Sequence, residues 1–141
     1  MALETYLRSA GAGASAGLRT FTIAAATLNA VGSEWAGLAI FLAATELVFD
    51  KLPVTPSRLS PVGLSARILS GGICGAALAA RGDASRTIGA LCGATTAVAS
   101  AYTGYTIRRY FTKTLGWPDV PVALAEDGLA ISIAREANAA R

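Results

Sequence analysis

The chain has 141 residues, 53% hydrophobic and 15% charged, with a formal net charge of +3, a pI near 9.2 and a mean hydropathy of +0.50. That length is one domain, 1–141, and the charged fraction lies well below the roughly 25% of a soluble domain. There is no dense run of Lys and Arg, which sets nucleic acid aside. Histidine is absent, removing the commonest metal ligand and the base of Ser-His and Cys-His catalysis.

The apolar content is mainly Ala, Gly, Leu, Val and Ile. A water-soluble core of this size would use larger side chains, which bury more area each. Small residues instead suit helices that pack closely in lipid. Cys74 and Cys92 lie inside apolar segments and read as small hydrophobes. No cleavable leader is expected: Met1–Ala10 holds Glu4 as well as Arg8, and Arg19 follows within the next apolar stretch.

In chain order, Ala10–Val31 is Gly- and Ala-rich and about the ~20 residues a span needs. Gly32, Ser33 and Glu34 break it, with Ser33 a candidate N-cap. Trp35–Phe49 is apolar but short and runs into Asp50-Lys51-Leu52-Pro53. Prolines 53, 56 and 61 predict an extended connector. Val62–Ala80 is a third segment, interrupted by Arg67 and Gly71-Gly72, and Arg81-Gly82-Asp83 is a turn. Ser85 is placed to cap a fourth segment, Thr87–Ile107, which continues into Arg108, Arg109, Tyr110, Phe111 and Lys113 before Gly116-Trp117-Pro118-Asp119 stops it. Val120–Ala134 is again short. The expectation is an all-α polytopic transmembrane bundle with three clear spans plus two short helices, each short piece being re-entrant or interfacial. With the N-terminus inside and five crossings, Arg8, Lys51, Arg58, Arg108, Arg109 and Lys113 face inward against Arg81, Arg86, Arg135 and Arg141 outward, a bias toward N-inside.

Three Gly-x-x-x-Gly pairs, Gly13/Gly17, Gly71/Gly75 and Gly89/Gly93, flatten helix faces for close approach. They read as packing within the subunit in preference to a dimer interface, and a homo-oligomer is compatible with them. Ser15, Arg19, Thr22 and Asn29 share one face of a continuous first helix. Arg19 lies near mid-span, where an unpaired Arg costs roughly 2.5–3.5 kcal/mol, so it needs a partner or a wet cavity. Glu46 and Asp50 stand at i and i+4, Lys51 follows them, and Glu126 and Asp127 are adjacent and point about 100° apart. Arg67 is a second buried-cation candidate. A static ion pair that sets helix register and a functional charge cluster both account for these residues. Tyr102, Tyr105, Arg108, Arg109, Tyr110 and Trp117 form an expected interface anchor, with Tyr and Trp at headgroup depth and Arg on phosphates. The nearby cations argue against a hard-cation metal site on the four acids, and no catalytic carboxylate pair, phosphate-cradling loop or nucleophile elbow is evident.

The run Gly17-Leu18-Arg19-Thr20-Phe21-Thr22, then Glu46-Leu47-Val48-Phe49-Asp50-Lys51-Leu52-Pro53, Thr55-Pro56-Ser57-Arg58, Pro118-Asp119-Val120-Pro121 and Ala125-Glu126-Asp127, resembles the bacterial membrane family catalogued as domain of unknown function 4126. The likeness extends from about Gly11 to Ala134, and its most specific parts are Glu-x-x-x-Asp-Lys-x-Pro and the terminal Glu-Asp. Longer members carry a His and a Lys ahead of the last element; this chain has no His and resembles the shorter branch. The resemblance implies a bacterial integral membrane protein and brings no reaction, substrate or cofactor.

Paired short or interrupted segments are the best sequence pointer to a transporter site. The leading expectation is therefore a small transporter or permeation protein, multi-pass in the bacterial cytoplasmic membrane. It would handle a small ion or solute through a buried cluster of Arg19, Glu46, Asp50, Lys51, Arg67, Glu126 and Asp127, with Arg108, Arg109 and Trp117 as anchor. The alternative is a structural or accessory membrane protein whose buried ion pairs fix packing. No enzyme, metal or cofactor is expected.

Overall fold

The computed structural model describes residues 2–49 and 59–139; the connector from 50 to 58 and the extreme termini lie outside the described residues. The elements are α1 (Ala2–Leu18), α2 (Thr20–Ala30), α3 (Ala36–Phe49), α4 (Pro61–Arg81), α5 (Arg86–Arg109), a π-helical turn (Tyr110–Thr114) and α6 (Asp119–Asn138). The described residues contain no strand.

Local chemistry explains most boundaries. Pro61 occupies the first turn of α4, where its missing N–H costs nothing, and Ser60 Oγ accepts from Gly63 N at 3.2 Å. Ser85 is the N-cap of α5 and accepts from Ile88 N. The Leu115 N–H reaches back five residues to Tyr110 O, making the π turn, and Gly116 at φ +67° lets the chain leave toward α6.

Helix α1 packs on α5, α4 and α6, while α2 packs on α3, α6 and α4, and α4 and α5 form a closely apposed pair. The three Gly-x-x-x-Gly pairs lie at these crossings. A Cβ on Gly71 would stand 2.7 Å from Gly93 O, and one on Gly89 would stand 2.6 Å from Gly75 O. A Cβ on Gly13 or Gly93 would fall into the backbone of Gly93 or Gly71 respectively. The interior is accordingly made of small side chains: Ala12, Ala16, Ala97, Ala130 and Ala134 are all buried. Large apolar side chains point outward instead, among them Leu38 and Phe41 on α3, Leu69 and Ile73 on α4, Leu91 on α5 and Leu124 on α6. The largest fully buried side chain is Arg19.

Two expectations are corrected. The first apolar segment is not one helix, because the backbone is extended at Arg19 (φ −144°, ψ 114°) and α1 and α2 are separate. The face proposed for Ser15, Arg19, Thr22 and Asn29 is lost with that register: Ser15, Arg19 and Thr22 are buried, and Asn29 is exposed. The last segment is not short; with Pro121 in its first turn, α6 runs for 20 residues and carries its acids well inside the helix. Of the three spans expected, α4 alone among the described helices is long and apolar enough to cross a membrane, with a mean hydropathy of 1.5. The first is divided at Arg19, and α5 is diluted by Thr95, Thr96, Ser100 and Thr103.

These crossings make a contrast between glycines. Gly93→Val should overpack α5 against α4 and lower stability by about 1–3 kcal/mol or more. Gly128→Ala on α6, where a Cβ meets nothing within 4 Å, should raise it by roughly 0.5–1 kcal/mol. Thermal unfolding of the purified protein in detergent measures both.

Candidate functional site

A helix that stops and restarts leaves carbonyls unsatisfied at one end and amides at the other. At this break the Arg19 N–H still donates to Ser15 O at 2.7 Å, completing α1. Helix α2 then begins with Arg19 in its N-cap position, and Arg19 makes no side-chain cap bond. It cannot, since a guanidinium has no acceptor. The acceptors come from α3: Glu46 Oε1 takes the Thr20 N–H at 2.7 Å and Oε2 the Phe21 N–H at 2.8 Å. A carboxylate there also meets the positive end of the α2 dipole.

Helix α4 serves the other side. Arg67 Nε donates to Gly17 O at 3.1 Å, putting a cation on the carbonyl end of α1, and its Nη1 donates to Gly63 O at 3.1 Å. Ser70, about one turn along, donates from Oγ to Thr20 O at 2.6 Å. The break is thus held by a cation from α4 and an anion from α3, each on the helix end whose partial charge it opposes.

Helix α6 supplies the third contact. Arg19, wholly buried, forms an ion pair with Asp127, whose side chain is 8% exposed. Ser15 Oγ donates to Ala130 O at 2.9 Å, pinning α1 to α6 one turn further on. Breaking such a buried pair on one side typically costs about 3–5 kcal/mol, because the remaining charge stays buried.

Glu126, the neighbour of Asp127, turns another way. Its carboxylate lies 3.9 Å from Arg108 Nη1, and its Oε1 stands 3.0 Å from where a Cβ on Gly104 would be, so the glycine makes room for it. Arg108 is itself held by both carboxylate oxygens of Asp119, with Nε 2.8 Å from Oδ1. Glu126 and Arg108 line a groove of about 610 Å³ between α1, α5 and α6 whose walls are otherwise mainly apolar. Phe111 and Trp117 also line it, their ring centroids 5.0 Å apart.

The structure therefore brings Arg19, Glu46, Arg67 and Asp127 to one helix break and sets Glu126 in the adjoining groove. Asp50 and Lys51 lie outside the described residues. Of the expected anchor, Arg109 and Trp117 are exposed, but Arg108 turns inward because Asp119 and Glu126 both draw it. Sequence reasoning missed Ser70, Gly104 and Asp119, and it missed the break itself. Among the described residues no three His, Cys, Asp or Glu side chains are placed to hold a metal ion.

A family model described as Domain of unknown function (DUF4126) matches residues 10–137. The chain belongs to this family. The DUF4126 span takes in the break, every side chain that holds it and the acids of α6. No curated protein and no solved structure matched.

The capping arrangement has a direct consequence. Glu46→Gln keeps the size but leaves one carbonyl oxygen where two charged acceptors stood, which should cost about 1–2 kcal/mol. Amide exchange at Thr20 and Phe21 should accelerate, whereas Glu34→Gln, exposed in the turn before α3, should change neither stability nor exchange.

Proposed function

We propose that this chain is a multi-pass protein of the bacterial cytoplasmic membrane that moves a small ion or solute past the α1–α2 break. The observation that carries the reading is the gathering of Arg19, Glu46, Arg67 and Asp127 around an interrupted helix in a core otherwise built mainly of small side chains. Discontinuous helices with charge at their half-helix ends are the usual construction of transporter sites, and intramembrane charge is otherwise costly. The membrane setting is supported by the outward-facing Leu69, Ile73, Leu91 and Phe41, the reverse of a water-soluble surface, and by α4. A bilayer around the chain also gives α3 its place, since its exposed Leu38, Ile40 and Phe41 would face acyl chains.

In this reading the arrangement is the closed, self-neutralised form. Glu46 occupies the anion position at the α2 N-terminus, and Asp127 neutralises Arg19. Transport then requires the acids of α6 to exchange a proton or cation, with Glu126 toward the groove and Asp127 toward Arg19.

A second reading is favoured by the complete burial of Arg19 and the capping of both half-helix ends: the charges are static and only fix helix packing. Flux separates the two. Proteoliposomes holding a pH-sensitive dye and driven by a potassium diffusion potential should acidify about tenfold faster than empty vesicles. Glu126→Gln should return the rate to that of empty vesicles while melting close to the wild type. Wild-type flux no greater than that of empty vesicles, with Asp127→Asn lowering stability alone, would establish the static reading.

A further inference from the structure

The groove of about 610 Å³ between α1, α5 and α6 is long as well as apolar. Ala14 and Ile133 line one end, Phe111 and Trp117 the other, and Leu18 and Leu129 lie between. Along α5 the lining runs from Thr96 to Ile107, or ~16 Å at about 1.5 Å per residue, which matches the ~15 Å depth of one leaflet in a bilayer core of about 30 Å. Its two charged linings show little of themselves: Glu126 is 9% and Arg108 18% exposed, and they approach each other to 3.9 Å. An apolar chain can therefore lie along the wall without displacing much water from either.

The outward charge is gathered at one end. Arg109 closes α5, and Lys113 follows in the π turn, about one turn further on, so the two are neighbours on the helix surface. Both are exposed, and they flank Phe111, which lines the groove. Arg108 is committed to Asp119, so Arg109 and Lys113 are the cations presented outward. Tyr110 and Trp117, also exposed, are the residue types that settle at headgroup depth.

We propose that this groove holds one acyl chain of an anionic phospholipid, whose phosphate rests on Arg109 and Lys113 at the mouth beside Trp117. The length and apolar lining match a chain that runs the depth of a leaflet. The paired cations at one end match a phosphate, and each cation near a membrane surface adds to the attraction for anionic lipid. A zwitterionic lipid brings its own ammonium to the same place and gains less from them. The inference rests on the membrane setting of the reading above and not on its transport step.

The full chain with Trp35→Phe keeps Trp117, at the mouth of the groove, as its single tryptophan. It is reconstituted into phosphatidylcholine vesicles, and phosphatidylglycerol brominated high on its acyl chains is added. Quenching of Trp117 should reach its half-point at about a tenth of the concentration that equally brominated phosphatidylcholine needs. Arg109→Gln with Lys113→Gln, at two exposed positions, should abolish that preference. Ala99→Phe fills the groove about 15 Å along α5 from Arg109, away from the charges, and should abolish it as well. Equal quenching by the two lipids would overturn the proposal. So would a preference that survives Ala99→Phe, because surface charge alone would then attract the headgroup. Protein that fails to float with the vesicles would remove the membrane setting and the site together. A preference lost in both variants, in a protein that carries no flux, would uphold the site and remove the transport reading alone.

Discussion

Helix ends away from water must be satisfied by the protein, and the break at Arg19 creates two such ends in the middle of the bundle. Much of the architecture follows from meeting that requirement. An anion has to reach the amides of α2, and Glu46 on α3 provides it; a cation has to reach the carbonyls of α1, and Arg67 on α4 provides it. Arg19 then needs a counter-charge of its own, which brings α6 and Asp127 against α1. Three helices distant in sequence are thus placed by one irregular residue.

The small-residue core serves the same end. With Gly13, Gly71 and Gly93 letting three backbones touch, α1, α4 and α5 leave no room for large side chains between them, and Arg67 and Ser70 stand near enough to reach the α1–α2 backbone. Large apolar groups are displaced to the outside, where a bilayer would solvate them. The cost of burying Arg19 is offset by pairing and hydrogen bonding, as a buried charge demands.

Much of this was legible in the residues. Helix identity followed from composition and from the stops at Gly32 and Gly116, and the caps at Ser60 and Ser85 use ordinary serine chemistry. The charges that meet at the break were singled out because each is expensive in an apolar segment. The break itself left little trace: Leu18-Arg19-Thr20 has no proline, and Gly17 is equally at home in a helix. Only the energetic anomaly of Arg19 pointed there. Pairing was also beyond local reasoning, since Glu46, Asp50, Glu126 and Asp127 were equal candidates and, among the described residues, it is tertiary packing that brings Asp127 to Arg19. The partner of Arg108 was equally hidden: its place at the end of α5 suggests a headgroup contact, and the carboxylate that grips it, Asp119, opens the next helix.

The most direct test of this account is a double-mutant cycle on the ion pair, with Arg19→Met and Asp127→Leu made singly and together and unfolding followed in detergent. Each single change should cost about 3–5 kcal/mol, because it strands a buried charge. The double variant should cost far less than the sum, since neither member of the pair is then left buried without the other. Additive losses would mean that Arg19 and Asp127 do not act on each other, and the break would then need a different explanation.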